Sequence, residues 1–179
     1  RVDSEKARKL LIQLSNFFRA NLQGARTNLI PLMKELTQVE AYRSLEQARF
    51  PDRYQVDIAV EEGMEEVLLP PFLIQILLEN AFKHAFGSRK TDNRVWIDVR
   101  SSPDGVFISV RDNGEGIDTK RLEKLGKEAV PSLEGTGSAL DNLNKRLTSL
   151  FGESAKLHFV SSPTGTTVHC TVPYQERQG

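Results

Sequence analysis

Five residues, Asp112-Asn113-Gly114-Glu115-Gly116, combine an acid, an amide and two glycines directly after an alternating apolar run, Val106 to Arg111. Period-two alternation predicts a half-buried strand, which puts the acid and the glycines in the loop at its carboxyl end. A short carboxylate there can accept a hydrogen bond from an exocyclic amine such as the N6 of adenine. Gly114 and Gly116 can adopt backbone angles closed to other residues and admit a flat ligand close to the main chain. The same five residues also satisfy the requirements of a tight Asp-Asn-Gly turn.

A second cluster is helical. Glu79, Asn80, Lys83 and His84 recur at spacings of three and four, so their polar side chains gather at one end of a largely apolar helix. Magnesium takes oxygen ligands and keeps much of its water, so one neutral Asn80 oxygen together with phosphates is a sufficient set. Lys83 can neutralise phosphate charge, and Glu79 can orient or deprotonate a nucleophile. Lys83 can equally be an i,i+4 partner of Glu79, and His84 a structural hydrogen-bond partner at the helix end. A third feature, Gly135-Thr136-Gly137-Ser138, precedes a helix with Leu140, Leu143, Leu147 and Leu150 as its inward stripe. Small residues at a helix N-terminus leave backbone N–H groups free for an anion.

The elements that must hold these groups follow from periodicity. Residues 4–22 and 29–50 each show one apolar helical face, the second stopped by Pro51-Asp52, and together they predict an antiparallel hairpin that completes a bundle with a second subunit or packs onto its own domain. Strands are predicted over 55–60, 95–99, 106–111, 155–161 and 166–172. Pro70-Pro71 opens the helix that carries Asn80. The stretch 118–134 loses hydrophobic pattern and reads either as a lid or as an irregular connection. The resulting fold class is α/β: a two-layer sandwich of a mixed, mostly antiparallel sheet of five strands with helices on one face, preceded by the helical hairpin. Residues 1–50 form the helical segment and 51–179 the sheet-bearing domain.

With 24 basic and 24 acidic residues in 179, the net charge is zero. That balance provides no electrostatic attraction for nucleic acid. The single cysteine, Cys170, rules out an internal disulfide and fits a reducing compartment. No apolar run reaches the roughly 20 residues that span a bilayer. The first residues lie inside a helical pattern, so the natural protein is expected to be longer.

Three separated motifs, Glu79-Asn80-Ala81-Phe82-Lys83-His84, Asp112-Asn113-Gly114-Glu115-Gly116 and Gly135-Thr136-Gly137, resemble in this order the asparagine box and the two glycine boxes of the GHKL ATPase superfamily. More narrowly, Glu46 to Phe50, Pro70 to Gln75 and Asn142 to Leu147 resemble LytS-like sensor histidine kinases. The resemblance implies a Bergerat-type fold that binds ATP and magnesium, in the cytoplasmic part of a dimeric, membrane-anchored receptor that phosphorylates a response regulator. It implies Asn80 as magnesium ligand, Asp112 as the adenine-binding acid, and Gly114 and Gly116 in the base pocket. It places Gly135 and Gly137 on the phosphate side of a lid and Thr167 near the adenine. Lys83 and His84 match the asparagine box.

Two departures stand out. None of His84, His158 or His169 lies in the family's phosphoacceptor context, so the accepting histidine is expected upstream and this chain is expected to bind ATP without phosphorylating itself. The second glycine box continues Ser138-Ala139 where a third glycine is usual, which adds a methyl group beside the phosphates. Two other functions remain compatible: an ATP hydrolase with Glu79 activating water, and a nucleotide-sensing module without chemistry.

Overall fold

The computed structural model of the chain describes residues 28–87, 91–118 and 136–175, together with Arg8, Ile12 and Arg89. The predicted helix over 4–22 and the candidate lid over 118–134 fall almost entirely outside them.

Five strands form one mixed sheet: β2 (Tyr54–Val60), β4 (Asn93–Ser102), β5 (Gly105–Asp112), β6 (His158–Ser162) and β7 (Gly165–Val172), in the order β2-β4-β5-β7-β6. Only β2 and β4 run parallel. This is the predicted sheet, and alternation explains its two faces. Val95, Ile97 and Val99 of β4, Val106, Ile108 and Val110 of β5, and Val168, Cys170 and Val172 of β7 are all buried. Their intervening neighbours, among them Trp96, Phe107, Arg111 and Thr167, line the other face.

Three helices complete the described fold: α1 (Leu32–Arg49), α2 (Leu73–His84) and α3 (Thr136–Phe151). α2 is the central one. Leu73, Ile74, Leu77, Leu78, Ala81 and Phe82 are buried, and Leu140, Leu143 and Leu147 of α3 join the same core. α1 packs on α2 rather than standing apart. Its Leu32, Glu35, Gln38 and Val39 are buried, and Tyr42 stacks on Phe82, which stacks in turn on Tyr54 of β2 at 4.2 Å between ring centroids.

Two short strands, β1 (Ile30–Pro31) and β3 (Leu68–Leu69), pair antiparallel and pin the start of α1 beside the approach to α2. At two residues each they are too short for alternation to betray them. The final hairpin begins later than predicted, because Glu153–Ala155 form a 3-10 turn before β6.

Candidate nucleotide-binding site

Asp112 closes β5 on the helix-covered face, where it is buried. Its Oδ1 accepts the Gly114 N–H at 2.8 Å and the Thr166 N–H at 3.2 Å. Both bonds fall on one oxygen and fix the carboxylate plane, which leaves Oδ2 as the acceptor for a donor from outside. Burial raises the pKa of this acid, and the two N–H groups and the charge of Arg89 pull it back down.

α2 brings Asn80, Ala81 and His84 to the same place. They line one crevice with Ala85, Asp112, Gly116, Ile117 and Thr166. The crevice has only about 20 Å³ of room, space for about one water molecule. A purine exceeds this, so its walls must part for a nucleotide. Thr166 Oγ1 lies 3.0 Å from Ser161 Oγ, which accepts the Ile117 N–H at 2.8 Å, so one wall hangs on the β6–β7 hairpin.

The loop glycines are required here by the protein itself. A Cβ at Gly114 would lie 2.1 Å from the Ala85 carbonyl oxygen, the same carbonyl that accepts the Glu115 N–H at 2.9 Å. Gly116, at φ +78, would bring a Cβ within 2.0 Å of the Ser162 oxygen. The two glycines therefore let the loop after β5 wedge between the end of α2 and the β6–β7 hairpin, which is a different use from the close approach of a flat ligand.

Behind the acid, Arg89 and Asn113 form a clamp that sequence reasoning missed. Arg89 donates to Asn93 Oδ1 at 2.6 Å and to Asn113 Oδ1 at 2.7 Å. Asn113 also accepts the Arg94 N–H and donates to the Asp92 carbonyl, each at 2.8 Å. The turn after α2 is thereby tied to the end of β5. An amide next to the acid was the available signal; the arginine gave none.

The remaining sequence-predicted residues separate. Glu79 and Lys83 are not among the residues lining the crevice. Glu79 Oε1 accepts from Gln75 Nε2 at 2.9 Å, and Oε2 meets Lys83 Nζ at 3.5 Å. Thr167 requires correction. It is not among the residues lining the crevice but lies in a neighbouring depression with Trp96, Arg111 and Asp112, because alternation in β7 sends its neighbour Thr166 to the crevice. Gly137 lies in the first turn of α3, while Gly135 is outside the described residues. Among the described residues no cluster of three or more His, Cys, Asp or Glu is disposed to hold a metal, so a divalent ion here would rely on Asn80 and on the oxygens of its ligand.

The family model described as histidine kinase-, DNA gyrase B- and HSP90-like ATPase matches residues 71–176, more than half of the chain. The chain belongs to this ATPase family. A second model, described as histidine kinase, matches residues 1–54. Among curated proteins, the chain is 55% identical over 175 residues to the sensor protein LytS of Staphylococcus epidermidis, covering 98% of this chain and 30% of that protein. It is 54% identical over 179 residues to the sensor histidine kinase/phosphatase LytS of Staphylococcus aureus, covering 99% and 31%. The chain thus spans about a third of the length of these relatives.

Solved structures with the same fold include the histidine kinase domain of a blue-light-activated kinase from Erythrobacter litoralis. It has a TM-score of 0.60 at 18% identity, covering 95% of this chain and 80% of that one. The catalytic domain of histidine kinase ThkA gives 0.63 at 16%, covering 82% and 94%. The resemblance to LytS-like sensor histidine kinases therefore holds along the chain, and the match to the ATPase family covers the elements that form the crevice.

Proposed function

We propose that this domain binds magnesium-ATP and transfers its γ-phosphoryl group to a histidine on a segment outside the chain, from which a response regulator takes it. In this reading the whole protein is a homodimer joined through its N-terminal helices, and it is held at a membrane by segments absent from the chain. Among the described residues no helix is long and apolar enough to cross a bilayer.

The observation that carries the reading is the pairing, in one crevice, of a buried carboxylate whose Oδ1 is already satisfied with the amide of Asn80. The donor set fits the ligand. Asp112 Oδ2 would take the exocyclic amine of adenine and discriminate against guanine, which presents a carbonyl there. Asn80 would supply a neutral oxygen to magnesium. His84, on the same wall, would contact the phosphate side, and the first turn of α3 would offer N–H groups to it. Bound ATP supplies the phosphoryl group; the chain's residues supply position and charge neutralisation. Lys83 reaches phosphate only by leaving Glu79, a partner worth a few tenths of a kcal/mol at such an exposed helical pair, so that exchange is cheap.

The hydrolase alternative asks Glu79 to activate water. Its Oε1 accepts from Gln75 and its Oε2 meets Lys83 at 3.5 Å, contacts that both readings can exchange, so the two are separated by the fate of the phosphoryl group. Incubating the chain with γ-labelled ATP and the separately purified phosphoacceptor segment of a LytS protein distinguishes the two. Acid-labile label on the added segment is the expected result. Free phosphate with no labelled protein would overturn the kinase reading in favour of the hydrolase.

A further inference from the structure

Glu35 is fully buried on α1 and none of the roles above uses it. Its two oxygens accept three backbone N–H groups at the start of α2: Phe72 at 2.8 Å on Oε2, and Ile74 at 3.0 Å and Gln75 at 3.2 Å on Oε1. α2 has no side-chain cap of its own; its N-cap residue, Phe72, sits in the left-handed region at φ 67. A bulky residue there is a conformational outlier that needs outside support. The carboxylate of another helix provides it, satisfying donors that every helix leaves open at its N-terminus.

The junction has a third member. Arg146 of α3 donates to the Pro71 carbonyl just ahead of α2, and its positive charge acts on Glu35. α1, α2 and α3 therefore meet at one buried acid. Burial pushes the Glu35 pKa up to about 7, against the three N–H groups and Arg146, which lower it. From this junction to Asn80 is about two turns of a continuous helix, some 10 Å, short enough for α2 to move as a rigid rod.

We propose that Glu35 is a positioning residue for the nucleotide site: by holding the N-terminus of α2 from α1, it sets where Asn80 stands relative to Asp112. The inference rests on the magnesium-ATP reading given above. It makes α1, which lies outside the match to the ATPase family model, the element whose placement the crevice senses.

The test is isothermal titration of the chain with ATP, once with magnesium and once with EDTA, for the wild type, Glu35→Gln and Val39→Ala. Glutamine keeps the shape but turns an NH2 group toward backbone donors. Val39→Ala removes a buried contact of the same helix and serves as the stability control. Glu35→Gln should cut the magnesium-dependent gain in affinity by about tenfold, a usual size for coupling between sites, and leave the EDTA affinity unchanged. Val39→Ala should lower the melting temperature without touching the gain.

A folded Glu35→Gln variant that keeps the full gain overturns the inference, as does a Val39→Ala variant that loses as much of it. Should Glu35→Gln fail to fold, Arg146→Met is read the same way: loss of the gain supports the junction, and retention overturns it. A wild type that binds no ATP under either condition defeats the nucleotide reading itself, a result distinct from the others.

Discussion

At the scale of single residues, the crevice depends on how close the backbone segments come. Gly114→Ala would press a methyl group onto the Ala85 carbonyl at 2.1 Å. Backbone on both sides has little room to yield, so the expected loss is about 1–3 kcal/mol of stability, measured by urea unfolding, with weaker ATP binding in parallel. Thr167→Ala should leave ATP affinity unchanged, since Thr166 and not Thr167 lines the crevice.

Asp112 brings a pH dependence of two opposite signs. Its pKa is raised in the folded protein, so the native state holds the proton more tightly than the unfolded chain. Its contribution to stability is therefore full at acid pH and lost as pH rises through the raised value. Base recognition needs the ionised form, so ATP affinity should instead fall as pH drops through that same range. Titrations in a buffer series, set beside melting curves in the same buffers, check both trends.

At the scale of elements, α2 joins the core to the site. Leu78, fully buried on α2, should cost about 2–5 kcal/mol when changed to alanine. Its N-terminus carries the Glu35 junction, where the sign is also definite. With the pKa raised from 4.5 to about 7 and Arg146 as the facing charge, the folded state is the better proton binder between those values. Stability should then decline by about 3 kcal/mol as pH rises from 4.5 to 7. Glu35→Gln has no such group, so the difference in slope between it and the wild type isolates the contribution.

Much of this scale was legible in the sequence. Stripes of leucine marked α2 and α3, alternation marked the sheet, and the acid-glycine loop marked the crevice. The misses have physical causes. Glu35 shares a helical face with Leu32, Leu36 and Val39, at spacings that signal burial, but an acid in a mixed helix reads as a surface charge until a partner for it is known. Thr166 and Thr167 differ only in strand parity, which a glycine-led hairpin leaves open until register is observed. Arg89 acts across a turn, over a distance that local patterning does not encode.

At the scale of the whole molecule, the N-terminal helical segment and the nucleotide-binding unit are in contact rather than strung in series. α1 buries Leu32, Gln38 and Val39 as well as Glu35, and β1 completes a small sheet with β3. We propose residues 1–50 and 51–179 as the two functional segments, with α1 serving both. A chain beginning at residue 51 would take away the strand partner of Leu68–Leu69 and leave three N–H groups at the start of α2 without their carboxylate. It should melt at a markedly lower temperature than the full chain, as calorimetry would show.

The predictions that concern nucleotide affinity presuppose that Asp112 reads the purine. Isothermal titration of magnesium-ATP into the wild type and Asp112→Asn decides that most directly. The amide retains size and one acceptor oxygen but loses the charge, and a hydrogen bond to a charged group is worth about 1.5–3 kcal/mol. The variant should bind ATP about tenfold to a hundredfold more weakly while keeping the wild-type circular dichroism spectrum. Equal affinity in the two proteins would contradict the assignment of this crevice as the nucleotide site.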